Sequence, residues 1–368
     1  MKLSEQEAAW LEVRRYLEAN RFDLGVDAQH EYVDHVKFFE TPLLTVANWL
    51  PLSPIPLLGI DLQLRASQTT AGSSVDYGAN LPLSLDNTTY QNYADVFQAL
   101  AAPRAFQNRT TYRLEEAELT DTSRSRLAFS LGRYFDSLNT GEASAHEYAA
   151  ARLGRGDGGI RKNIKDPCDL AQRPVNMAVS ALTLKRTAGG EFEFFLHWRD
   201  PKKVGHAGGL YQVVPSGVFQ AAGEEALHQT NDFSLLKFLA RELAEELLGE
   251  AEINSDGSRA LDYSEWGLFR KLQVSVDDGG ARMWCVGLGV DPLTFATDLL
   301  AVLVFEHDAF ADVFGEVTRE NDEGRVLAAK RFDEATVSNL VRNERMQAAG
   351  AALLASAWHH RDTILSPS

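Results

Sequence analysis

The run Arg241-Glu-Leu-Ala-Glu-Glu246 lies inside a strongly periodic segment, and its reading decides the second half of the chain. Leu235, Leu239, Leu243 and Leu247 recur at i, i+4 spacing, Asn231 and Asp232 are candidate N-caps, and Gly249 is a stop signal, so the spacing predicts a helix through Leu248. At about 100° per residue, Glu242, Glu245 and Glu246 fall on one arc beside the leucine stripe. Carboxylates crowded in this way repel one another unless cations neutralise them, and hard oxygen donors suit Mg²⁺ or Mn²⁺. The plainer reading is a solvated acidic face, in which glutamate is simply a good helix former and Arg241 pairs with Glu245.

Around this helix the pattern alternates. Val175–Lys185 and Glu191–Arg199 read as strands of a hairpin turned by Thr187-Ala-Gly-Gly190, and Leu210–Val214 reads as a strand running into Pro215-Ser-Gly217. Leu268–Val276 and Arg282–Val290 read as further strands, Leu299–Phe305 as strand or helix, and Ala335–Ile364 as a helical tail. Towards the N-terminus, Ser4 and Glu7 form a capping box for a helix from Glu5 to Ala19. Pro51, Pro54 and Pro56 make the stretch from Thr41 an extended arm, and alternation from Leu58 to Leu64 predicts a strand. Ala66–Asn87 has loop composition, Arg109–Leu119 and Arg126–Leu131 read as paired strands, and Asn139 with Glu142 offers a capping box for a helix to Leu153. The glycine-rich run from Gly154 leads to Pro167 as a linker. The expectation is therefore an α+β chain with an N-terminal α+β unit at 1–165, covering the site or dimerising, and a second unit at 166–368.

Composition narrows the function classes. The 368 residues carry 36 Lys plus Arg against 52 Asp plus Glu, a formal charge of −16 that disfavours direct binding to nucleic acid or anionic lipid. Ala296–Phe305 and Ala348–Trp358 are too short to span a bilayer, the N-terminal segment lacks the layout of a signal peptide, and two cysteines in 368 residues form no ligand or disulfide pattern. A cytoplasmic protein without a membrane segment or a zinc motif is the expectation.

Arg-Glu-aliphatic-X-Glu-Glu on a helix, entered from a strand through a glycine loop, resembles the signature of the Nudix superfamily. The resemblance implies an α/β/α sandwich with a mixed sheet. It carries Glu242, Glu245 and Glu246 over as ligands of Mg²⁺ or Mn²⁺ bridging the diphosphate of a nucleotide-derived small molecule, one of them also serving as general base, with Arg241 as the partner that orients them. Gly217 matches the glycine that opens the motif. The interval from Gly217 to Arg241 is ten residues longer than the family's, so Glu224 and Glu225 are only candidates for its early glutamate, and Leu248 stands where the family has glycine. Pro42-Leu-Leu-Thr45, Gln107–Arg113, Tyr134-Phe-Asp136, Gly141–Glu147 and Val214–Gln220 are similar to the sensory portion of a group of actinobacterial helix-turn-helix regulators.

Around the motif, Arg199, Tyr211 and Phe219 are candidate substrate-binding residues: a phosphate-facing cation and two stacking surfaces, with His197 and Trp198 alongside. Each also has a plain reading as core or ion-pair residue. His206-Ala-Gly-Gly209 reads as a close ligand approach or a turn, and Glu320–Glu323 as a late carboxylate source or a solvated turn. His146-Glu147 lacks the second histidine of a zinc protease motif, and Ser216 lacks the flanking glycines of a nucleophile elbow. Three function readings remain: a Nudix-like hydrolase cleaving a phosphoanhydride in a nucleoside diphosphate derivative, a non-catalytic Nudix-like nucleotide sensor, and an interaction scaffold. A homodimer is compatible with each.

Overall fold

The computed structural model describes residues 2–65, 81–87, 89–103, 106–156, 158–199, 209–253, 259–315, 317–318 and 324–366. The loop expected over 66–87 lies for the most part outside them, as do 320–323 and 206–208.

Helix α1 (Glu5–Ala28) starts on the expected capping box, with Ser4 Oγ accepting from Glu7 N and Glu7 from Ser4 N, but runs nine residues past Ala19. Its second half is held by Leu24, Ala28 and the buried Arg21. Strand β1 (Val36–Lys37) precedes the proline arm, which contains two short strands, β2 (Leu44–Thr45) and β3 (Ile55–Pro56), and is followed by β4 (Asp61–Leu64) and α2 (Tyr93–Leu100). Strands β5 (Thr110–Glu118) and β6 (Arg126–Arg133) pair as expected. The capping box at Asn139 does not form, because the helix has already begun: α3 (Tyr134–Ser137) passes through a π-helical turn, Leu138–Glu142, into α4 (Ala143–Arg152). Asn139 instead accepts from Ala94 N in α2, and Glu142 receives Arg14 and Arg21 of α1. Helix α5 (Gly159–Asn163) then leads into the second half.

There, β7 (Met177–Arg186) is followed by a strand that breaks at Phe195 into β8 (Phe192–Phe194) and β9 (Leu196–Arg199), so the two parts join different sheets. Next come β10 (Tyr211–Val213), β11 (Ser216–Val218), α6 (Ala226–Asn231) and α7 (Leu235–Leu248). The expected strand at Leu268–Val276 is helix α8 (Gly267–Asp277). Its apolar residues are too few to fix a period from sequence, but the buried ones, Leu268, Leu272 and Ser275, are spaced four and three apart along one helical face. After β12 (Ala281–Val290), the ambiguous segment is strand β13 (Thr297–Phe305). Helix α9 (His307–Phe314), β14 (Gly324–Val326) and β15 (Lys330–Arg331) precede the tail, which is three helices: α10 (Glu334–Asn343), α11 (Ala348–His359) and α12 (Arg361–Ile364).

The layout is α+β. A mixed sheet in the order β1-β2-β12-β13-β7-β8-β15, with β3 on β12 and β11 on β7, has β13 and β7 parallel and, among the described residues, its other pairs antiparallel. Strand β13 is buried along its whole length, and its side chains alternate between two cores. Leu299, Ala301, Leu303 and Phe305 pack with α7, α8 and α9; Leu300, Val302 and Val304 pack with α10 and α11. Smaller sheets, β10-β9-β14 and β4-β6-β5, flank it. Residue 165 falls between α5 and β7, and bonding crosses that point: β2 and β3 lie on β12, Tyr112 N donates to Phe219 O, and Leu114 N donates to Val175 O.

Candidate functional site

Helix α7 is capped by Ser234 rather than by Asn231 or Asp232, and ends at Gly249, whose φ of 69° is the left-handed conformation that glycine adopts without strain. Asp232 serves elsewhere, accepting from Ala222 N and from Tyr263 Oη. The leucine stripe is buried as expected, which sets the acidic residues beside it against β11 and β9.

The three glutamates have different surroundings. Glu242 is half-buried, and its carboxylate lies directly over Gly217: a Cβ there would stand 2.1 Å from Oε2 and 2.6 Å from Cδ. Gly217 is held in that place by β11, where it pairs with Val179 of β7. Glu246 is buried, with Oε1 accepting from Ser216 N at 2.8 Å and Oε2 lying 3.6 Å from Nδ1 of the fully buried His197. Glu245 is half-buried on the same flank. Arg241 is buried and donates to Gln220 O at 2.6 Å, so it holds the backbone that follows β11 while Asp232 holds Ala222 two residues on. Its bond goes to that loop, whereas sequence alone pairs it with Glu245.

The other candidates separate. Phe219 has no exposed surface; its ring meets Tyr112, Phe129, Phe233 and Phe238, and an enclosed ring has no face for a base. Tyr211 packs with the core under α10 and α11, away from the α7 core, where its backbone bonds Arg345 and Gln347. Arg199 ends β9, and its side chain is outside the description. Glu224 is turned to β5 and β6, accepting from Thr110 N, Thr110 Oγ1 and Arg133; burial acts to raise its pKa, and these bonds outweigh that and hold it below the usual carboxylate range. Glu225 is exposed at the start of α6. His146 stacks on Trp10, and Glu147 accepts from Ile160 N.

Sequence reasoning passed over one group. His35, Asp166 and Cys168 come together with their donor atoms within 4.8 Å of one another, which among the described residues no other three His, Cys, Asp or Glu side chains do. With His35 and Asp166 131 positions apart, no local spacing announces it; only the Asp-x-Cys pair at 166 and 168 is visible in sequence.

No helix among the described residues is long and apolar enough to cross a membrane. No family model and no curated protein matches the chain. Among solved structures it is similar to a NUDIX hydrolase from Alicyclobacillus acidocaldarius, at 13% identity and a TM-score of 0.26 over 49% of this chain and 89% of that one. It is also similar to the NUDIX domain of Shewanella oneidensis NrtR, solved with ADP ribose, at 14% identity and a TM-score of 0.26 over 52% of this chain and 88% of that one. A third is the M. smegmatis Nudix hydrolase RenU, at 11% identity and a TM-score of 0.25, over 52% and 88%.

Proposed function

We propose that the chain is a Nudix-like hydrolase that uses Mg²⁺ or Mn²⁺ to split a phosphoanhydride in a nucleoside diphosphate derivative. The observation that carries the reading is the fit of Glu242 over Gly217: the space a Cβ would fill is taken by a carboxylate. Glu242 and Glu245, half-buried on one flank of α7, are the residues that would hold the cation, with Glu246 beneath them. When bound, such a cation neutralises phosphate oxygens and lowers the pKa of an attacking water. The protein's own contribution is orientation. Ser216 N–H fixes Glu246, and Arg241 fixes the loop after β11. Arg199 is the candidate phosphate-binding cation on this reading, and the N-terminal 165 residues cover the site and supply a homodimer contact.

A second reading is favoured by Glu246, whose carboxylate is already engaged by a backbone N–H in a buried position. If it stays so, two glutamates hold the cation and the protein binds a nucleotide without turning it over. Incubation with Mg²⁺ or Mn²⁺ and a panel of nucleoside diphosphate derivatives separates the readings. Cleavage that disappears in Glu242→Gln and Glu245→Gln supports the hydrolase. Ligand-dependent thermal stabilisation without cleavage supports the sensor. Neither effect, with no metal binding at α7, overturns both.

A further inference from the structure

The segment after α1 and the segment entering β7 meet at His35, Asp166 and Cys168. His35 Nε2 lies 2.9 Å from Asp166 Oδ1, and that same oxygen accepts from Cys168 N at 2.8 Å. Asp166 N in turn donates to Gln172 Oε1, so the carboxylate sits on a fixed loop. The His35 side chain is 19% exposed and that of Asp166 43%, while Cys168 is buried, so the group reaches water through His35 and Asp166. The other ring nitrogen of His35, Nδ1, is buried and has no hydrogen-bond partner among the described residues.

Three donors of different softness within 4.8 Å make an unusual set for a mere ion pair. Imidazole, carboxylate and thiolate are the donors that borderline-soft divalent ions accept together, whereas Mg²⁺ and Ca²⁺ take oxygen alone. We propose that His35, Asp166 and Cys168 form a binding site for a Zn²⁺-class transition-metal ion, with water completing its coordination from the open side. On binding, Cys168 releases its proton to solvent and the metal–sulfur bond replaces the S–H bond. The carboxylate and thiolate then carry two negative charges against the two positive charges of the ion. Arg173, buried close by, has its donors turned to Pro167 O and Thr297 Oγ1 and favours the thiolate. An activated-nucleophile reading of Cys168 is the poorer fit, since burial and then Asp166 push its thiol up to about 12. The site shares no residue with α7, and the ion would staple residue 35 to residues 166–168, two points far apart along the chain.

The test uses the whole chain, freed of metal by chelation and titrated with Co²⁺ as a spectroscopic stand-in for Zn²⁺. The expected result is a thiolate-to-cobalt charge-transfer band that saturates at one equivalent and is displaced by Zn²⁺. It is lost in Cys168→Ser and kept in Cys285→Ser and in the Glu242→Gln, Glu245→Gln double variant, so the result is independent of the Nudix reading. His35→Ala, at a partly exposed position, should weaken Co²⁺ binding by more than the roughly 10–100-fold that loss of an outer partner costs, with helicity unchanged. It therefore decides the matter even if Cys168→Ser fails to fold. The proposal is overturned by the absence of a charge-transfer band in the parent chain, by a band that survives Cys168→Ser, or by unchanged affinity in a folded His35→Ala.

Discussion

Glu242 and Gly217 occupy one space: the carboxylate of the helix residue fills the volume where any other residue's Cβ would project from the strand. Gly217→Ala must therefore move Glu242. The atoms displaced are the far end of a flexible side chain, so the fold is expected to absorb the change at a cost of about 1 kcal/mol or less. On the proposed hydrolase reading, metal-dependent turnover should fall steeply, since a ligand misplaced by about 1 Å costs on the order of 100-fold. Parallel measurement of melting temperature and turnover checks this; an active Gly217→Ala enzyme would remove the basis for placing the cation there.

Glu246 presents a different balance, because it is tied to backbone in a buried place. Glu246→Gln keeps an oxygen for Ser216 N and should leave stability nearly unchanged. Glu246→Leu strands that N–H and is expected to cost about 1–3 kcal/mol. Urea unfolding of the two variants reads the difference.

The N-terminal helix is anchored by charge. Arg14 Nη1 lies 2.5 Å from Glu142 Oε2 and Arg21 Nη2 lies 2.9 Å from the same atom, all three side chains being buried. Glu142→Gln removes the buried carboxylate that both guanidinium groups share, leaving Arg14 its pair with the exposed Glu18, and is expected to cost about 3–5 kcal/mol. Glu116→Gln, which loosens the exposed pairs with Arg65 and Arg126, should cost less than about 1 kcal/mol. Denaturant midpoints of the two variants provide the comparison.

His146 makes stability depend on pH. Burial, reinforced by Arg14, pushes its pKa down from 6.5 to about 3. Between these values the unfolded chain binds a proton that the folded chain does not, so stability falls as pH falls through that window. The slope due to this group alone is about 1.4 kcal/mol per pH unit. In His146→Phe, which keeps a ring against Trp10, the difference from the parent should vanish from the pH dependence above 6.5 and grow below it. Unfolding free energies at pH 7, 6 and 5 test the sign.

What the sequence made legible was whatever depends on short-range pattern. The Ser4–Glu7 capping box, the β5–β6 pair, the leucine face of α7 and its glycine stop all lie within a few turns of the residues that announce them. Leu268–Val276 was open to misreading, because a short apolar run carries too few residues to fix its period and burial under α7 decides it. Asn139 and Glu142 have the right types and spacing for a helix start, but Arg14 and Arg21, more than a hundred residues away, claim Glu142. At the site, the acidic face of α7 was readable, while the unequal burial of its members, the enclosure of Phe219 and the place of Tyr211 in the other core were not. Those depend on which face of a sheet each residue occupies, and strand registers between distant segments leave no local trace.

The strands β2 and β3 carry one more consequence, for biosynthesis. Their hydrogen-bonding partner, β12, begins at residue 281, so more than two hundred residues must be made after Ile55 before that edge can close. At roughly 5–20 residues per second the nascent chain carries an unsatisfied strand edge for on the order of ten seconds or longer. Such high-contact-order pairing folds slowly and leaves apolar edges open to other chains. A fragment ending near 165 is expected to be aggregation-prone, and co-expression with 166–368 is the condition under which it should become soluble.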